Sequence, residues 1–255
     1  MPLDADFLFG FFLVFVRASA MLISSPVFGA QHTPANIRVM TTLSIAAALT
    51  LALKPHLPPA PQDLITFVGA IANEAVAGLL LGTFVSFVFL AIQMAGSFLD
   101  FQIGLGSSQI MNPITGVPVT IVAQMKFLLA VAIFLAMNGH HAMFRAFVQS
   151  YEAIPAISMT SLGALQGHVV SMIGAMSLLA LQISAPVAAV SIIIDVGLGL
   201  VNKAVPQMPV MIVGMPAKLM AGILGLGVIL PALVSGVDVG VNHALDSLWN
   251  VWGKG

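Results

Sequence analysis

Eight Lys/Arg and nine Asp/Glu are the only formal charges in 255 residues, and most of them lie inside or beside long apolar runs. A water-soluble domain carries about 25% charged residues, because its surface has to stay hydrated. With 7% charged and 59% hydrophobic residues, most of this chain's outside must face lipid or other apolar protein. The expected fold class is therefore an all-α integral membrane protein. In such a protein the few ions are the informative residues, since an ion inside a membrane is retained only for a structural or functional reason.

Crossing a bilayer takes about 20 apolar residues at a rise of ~1.5 Å each. Six runs qualify or come close: residues 7–28, 37–53, 64–99, 119–137, 169–201 and 210–234. The first has Asp4 and Asp6 before it and Arg17 inside it, which is not the pattern of a cleaved signal, so it is expected to stay as a permanent segment. The third and fifth exceed a bilayer, and kinks at internal Gly and Pro, or projection beyond the lipid, would account for the excess. Residues 142–167 read as a shorter helix and a connector around Pro155. In the tail, Val241, Leu245, Leu248, Trp249 and Trp252 form one face of an amphipathic helix with interfacial aromatics. The loops carry too few Lys/Arg to orient the chain by the positive-inside rule.

Several function classes fall away. A formal net charge of −1 with no basic run gives nothing to neutralise phosphates, so no nucleic-acid partner is expected. The chain has no Cys, which removes thiol chemistry and Cys-ligated metals. His140 and His141 are adjacent and point about 100° apart on a helix, so they cannot act as an i, i+4 metal pair. Phosphate loops and nucleophile elbows are absent, and the signatures of intramembrane aspartyl proteases do not surround Asp100 or Asp195. No enzyme, cofactor or metal site is expected.

Glu74 stands in a row at spacing four with Ala70, Gly78, Gly82 and Ser86, which makes one face of small residues on a helix. Gly78-x-x-x-Gly82 would let another backbone approach closely and bury Glu74 in protein. That acid is read first as part of a structural ion pair and second as a proton carrier. Farther along the same helix come Gln93, Ser97 and Asp100. A second stripe holds Ser184, Ala188, Ser191, Asp195, Gly199 and Asn202. Arg17, Lys126, Lys203 and Lys218 are the available counter-ions, and sequence leaves open which cation meets which acid. The segment from Gly104 to Pro118, GLGSSQIMNPITGVP, has no charge in fifteen residues. Irregular backbone beside apolar helices is tolerated where it is packed in protein or lines a cavity.

Taken in order, these motifs form a recognisable set. Arg17 precedes Ser25-Pro26-Val27-Phe28, and Glu74 precedes Gly78 and Gly82. Ala95-Gly96 then lead through Asp100 and Gln102 to Gly104, Asn112-Pro113 and Asn138-Gly139-His140-His141. A last block holds Ala185-Pro186, Asp195, Gly197-Leu198-Gly199, Asn202-Lys203, Pro206-Gln207-Met208 and Gly214-Met215-Pro216-Ala217-Lys218. The ordered set resembles the FliR family, the R subunits of the flagellar type III secretion export gate, with the T subunits of virulence systems as close relatives.

The resemblance implies bent helical hairpins, a P-like half (about 1–165) followed by a Q-like half (166–255), assembling into a helical secretion pore. It implies FliP and FliQ as pore partners, FlhB at the entrance, FlhA nearby and unfolded export substrates in the channel. It also implies a place in membrane lipid of the bacterial inner membrane, within the flagellar basal body. By the same resemblance Gly104, Gly106, Ser107, Ser108, Met111, Asn112 and Pro113 belong to a plug in the closed channel. Arg17, Glu74, Gly78, Gly82, Asp100, Lys126, Asp195, Lys203 and Lys218 become buried-ion or packing residues. The alternative is a proton-coupled secondary transporter relaying protons through Glu74, Asp100 or Asp195.

Overall fold

The computed structural model describes residues 4–29, 34–53, 57–104, 121–153, 159–207 and 210–251. Among them run α1 (Ala5–Ser24), α2 (Ala35–Leu53), α3 (Leu64–Gln102), α4 (Ile121–Ala136), α5 (Gly139–Ala153), α6 (Met159–Ala204) and α7 (Val210–Val251). No strand occurs among the described residues. Lipid offers the backbone no hydrogen-bond partner, and a helix satisfies its N–H and C=O groups within the segment. Among the described residues, five helices are long and apolar enough to cross a membrane, or six if α4 and α5 count as one broken span. The chain is an all-α integral membrane protein.

Three helices are longer than the apolar runs suggest. α3 has 39 residues, α6 has 46 and α7 has 42. At 1.5 Å per residue they extend about 58, 69 and 63 Å, roughly twice a 30 Å hydrocarbon core. α6 begins at Met159, within the segment expected to be a connector. α7 joins the sixth run to the amphipathic tail without a break and carries Pro216 and Pro231 inside it. Proline and glycine end helices in water, but in apolar surroundings the helix is the only cheap conformation for the backbone.

Three local devices mark the ends. Asp63 caps α3: its carboxylate accepts from the Thr66 amide (2.8 Å) and hydroxyl (2.7 Å). The Thr66 donors hold that carboxyl below its usual range. At its other end α3 closes on Gly104, whose φ of +85° is the left-handed conformation that glycine adopts without strain. Asn138 separates α4 from α5 at φ +58°, a conformation asparagine tolerates better than most residues. Its carbonyl accepts from the His141 amide at 2.9 Å.

The chain folds as two compact units. The first comprises Met1–Phe87, Met137–Met172 and Val241–Gly255, and the second Val88–Ala136 and Ile173–Gly240. In the first, Leu13, Val14, Ala18, Met21 and Leu22 of α1 are buried, as are Ala77, Leu81, Phe84 and Val85 of α3. Gly78 lies against the Arg17 carbonyl and Ala20, and Gly82 against the Met21 carbonyl and Ser24, so close that a Cβ at either would collide. The Ser86 hydroxyl donates to the Ser24 carbonyl across this contact. α2 turns Thr42, Ala46 and Thr50 inward, and both hydroxyls return to their own helix, to Arg38 O (2.8 Å) and Ala46 O (2.6 Å). In the second unit Phe89 meets Phe127 and Phe134 edge to face, and Gly222 and Gly225 press on Ile103 and Val187.

The α1–α3 contact sets up a comparison on one helix. Gly69 of α3 has open space where a Cβ would stand. Gly69→Ala should hold or raise the melting temperature of the chain in detergent, since alanine favours a helix by about 1 kcal/mol over glycine. Gly78→Ala should lower it, by an overpacking cost of about 1–3 kcal/mol, read by circular dichroism.

Candidate functional site

Four side chains from three helices meet inside the first unit. α1 supplies Arg17, α3 supplies Glu74, and α5 supplies Ser150 and Tyr151. Arg17 is only 1% exposed and Glu74 7%. Arg17 Nε donates to Glu74 Oε2 at 2.6 Å and Nη2 to Oε1 at 3.0 Å, the two-pronged geometry that makes guanidinium–carboxylate pairs strong and directional. The third edge of the guanidinium, Nη1, donates to Ser150 Oγ at 2.6 Å. The Ser150 hydroxyl hands its own proton to the Phe147 carbonyl at 2.6 Å. Tyr151 OH donates to Glu74 Oε2 at 3.1 Å, while its ring lies under the guanidinium, 3.7 Å from Cζ.

Why the helices bring these groups together follows from the small-residue face. Gly78 is one turn beyond Glu74, and its lack of a side chain draws the α1 backbone in at Arg17 itself. The pair is thus assembled by the same contact that buries it. Chemically, both oxygens of Glu74 are engaged by donors from Arg17 and Tyr151. The arrangement can hold three helices in register.

The other charged residues sit differently. In the second unit Lys218 Nζ lies 2.5 Å from Asp195 Oδ1, with the two side chains 19% and 50% exposed. Exposed pairs of this kind contribute about 0–1 kcal/mol. This pair borders a pocket of about 320 Å³ also lined by Gly104, Asn202, Gly214 and Met215. Asp100 and Lys126 are sealed from solvent and interact electrostatically, and Lys126 Nζ has no hydrogen-bond acceptor among the described residues. Lys203 is exposed in the last turn of α6, where a cation suits the helix dipole. The stripe on α6 divides: Ser184 and Ser191 are buried, whereas Asp195, Gly199 and Asn202 are exposed. Of the uncharged loop, Gly104 ends α3, while Gly106, Ser107, Ser108, Met111, Asn112 and Pro113 lie outside the described residues.

Sequence reasoning did not find Ser150 and Tyr151. One signal was present: Tyr151 is the chain's single tyrosine, and it lies in α5, the helix richest in polar residues. No spacing rule ties it to Glu74, 77 positions earlier.

Comparison with known proteins places this architecture. The model of the family described as bacterial export proteins, family 1, matches residues 8–244. The flagellar biosynthetic protein FliR of Bacillus subtilis is 31% identical over 212 residues, covering 82% of this chain and 81% of its own length. FliR of Pectobacterium carotovorum is 26% identical over 225 residues, covering 88% and 85%. FliR of Escherichia coli is 24% identical over 244 residues, covering 94% and 90%.

Removing one member of the buried cluster should be far worse than removing two. Arg17→Met or Glu74→Gln should each destabilise the chain by about 3–5 kcal/mol, because the remaining group loses its buried partner. Arg17→Met combined with Glu74→Leu should recover a large part of that loss, a coupling read from a double-mutant cycle of melting in detergent. Tyr151→Phe should cost less than either single change, about 1.5–3 kcal/mol for a hydrogen bond to a charged group.

Proposed function

This chain belongs to the bacterial export proteins of family 1, and from that membership we propose that it is a structural subunit of the flagellar type III protein export gate. The observation that carries the reading is the family match across residues 8–244, joined to the ordered motifs from Arg17 to Lys218. The relatives named as flagellar biosynthetic proteins support the flagellar branch. The geometry of Glu74 supports a role in assembly over one in proton transfer, since its oxygens are bound by Arg17 and Tyr151.

On this reading the chain works without catalysis. It joins the P and Q subunits, FliP and FliQ, around a secretion channel in the bacterial inner membrane, within the flagellar basal body. FlhB borders the entrance and FlhA stands nearby, and unfolded export substrates pass through the channel. Residues 1–165 take the place of a P subunit and 166–255 that of a Q subunit. The uncharged segment from Gly104 through Pro118 closes the channel as a plug. The half-exposed Asp195–Lys218 pair and exposed Lys203 fit contacts with neighbouring subunits, where a second chain would remove water from them.

Co-expression of the tagged chain with P and Q subunits, followed by native mass spectrometry of the detergent-extracted assembly, tests the reading. A defined hetero-oligomer containing this chain is expected. A chain that ignores both neighbours, and moves a small solute in liposomes by itself, would return the carboxylates to a proton pathway. Within the assembly, deleting residues 107–113 should make the closed channel leak ions across the membrane. Unchanged permeability would remove the plug from the account.

A further inference from the structure

Within the first unit, α2 and α5 leave between them a groove of about 480 Å³. Its walls are apolar: Ile45 and Leu49 come from α2, Phe144 and Val148 from α5. On one rim, a single turn apart on α5, stand His141 and Arg145, both exposed. Among the described residues no carboxylate pairs with Arg145. Yet α5 is half of a candidate broken span, and an arginine in such a segment needs a counter-charge or water within reach. His141 lies in the first turn of α5, where the helix dipole adds partial positive charge. Its ring offers an N–H donor in either protonation state.

We infer that this groove is a binding site for an anionic phospholipid. One acyl chain runs between α2 and α5, and the lipid phosphate accepts hydrogen bonds from the Arg145 guanidinium, with His141 donating from the preceding turn. Basic pockets between membrane helices bind anionic headgroups on these grounds, and the volume falls in the range of small-ligand sites, roughly 300–1,000 Å³. A partner's acidic helix fits less well. Outside the groove, α2 keeps an exposed apolar face, with Met40, Leu43 and Leu51 open and no charge between Arg38 and Lys54. A protein interface is expected to end in a polar rim, whereas lipid chains need none. The site goes beyond the export-gate reading and does not rest on it, because the full chain alone contains every residue involved.

The test uses the full-length chain in mild detergent, exposed to equal amounts of phosphatidylglycerol and phosphatidylcholine with matched acyl chains, and native mass spectrometry to count retained lipids. The wild-type chain should retain phosphatidylglycerol at least about fivefold over phosphatidylcholine, a difference of about 1 kcal/mol. Arg145→Gln should bring the two lipids near parity, while Arg145→Lys keeps most of the preference. Lys203→Gln, at an exposed cation far along the sequence, should leave it unchanged. Ala48→Phe fills the groove from α2 without altering charge and should lower retention of both lipids. Equal retention by the wild-type chain, or an undiminished preference in Arg145→Gln, would overturn the assignment and leave the groove to an acidic helix of a partner.

Discussion

Taking a guanidinium and a carboxylate out of water costs several kcal/mol for each ion, and their attraction repays this only in good geometry with the remaining donors satisfied. Arg17 and Glu74 meet both conditions, and much of the first unit is arranged so that they do. The glycines of α3 let α1 come close enough for the fork to form. α5 then arrives with a hydroxyl for the spare guanidinium edge and a phenol for the acid. Such a pair adds little net stability compared with a well-packed apolar substitute. Its effect is selective: a one-turn slip of α1, α3 or α5 would leave an ion alone in the interior. In a chain whose helices are apolar over much of their circumference, hydrophobic packing alone distinguishes poorly between registers, and this cluster supplies the distinction.

Three oppositely charged encounters among the described residues form a series in burial. Arg17–Glu74 is enclosed and fully hydrogen-bonded. Asp100 and Lys126 are enclosed and interact through their field, with the ammonium lacking an acceptor among the described residues. Lys218–Asp195 is short but largely wet. Salt screens the last and hardly touches the first. The enclosed pair therefore belongs to the folding of the chain itself, while the wet pair is available to respond to whatever covers it.

Much of the architecture was legible in the residues because lipid leaves a chain few options. The row Ala70, Glu74, Gly78, Gly82, Ser86 named the crossing face of α3, and the expected burial of Glu74 followed from it. The fourth apolar run was expected to end at residue 137, and the backbone turns just beyond it, where Asn138 takes the left-handed conformation. Two things were not legible. The lengths of α6 and α7 were underestimated because α6 begins at Met159, inside the segment expected to hold a connector around Pro155, and α7 runs on past residue 234 into the tail expected as a helix of its own. The identity of Glu74's partner was open because ion pairing over 57 residues depends on how helices stack, which periodicity does not encode. The family resemblance supplied the proposed role, which spacing alone could not.

Tyr151 has one more property, which follows from its being the chain's single tyrosine. Its phenol is bonded to Glu74 and its ring is capped by Arg17. The near-ultraviolet absorption and ring vibrations of tyrosine change with the hydrogen bond at the oxygen and with a cation above the ring. Every tyrosine signal from this chain thus originates at the junction of α1, α3 and α5. The protein carries its own optical gauge of whether that junction is closed, placed where an added label would destroy what it was meant to report.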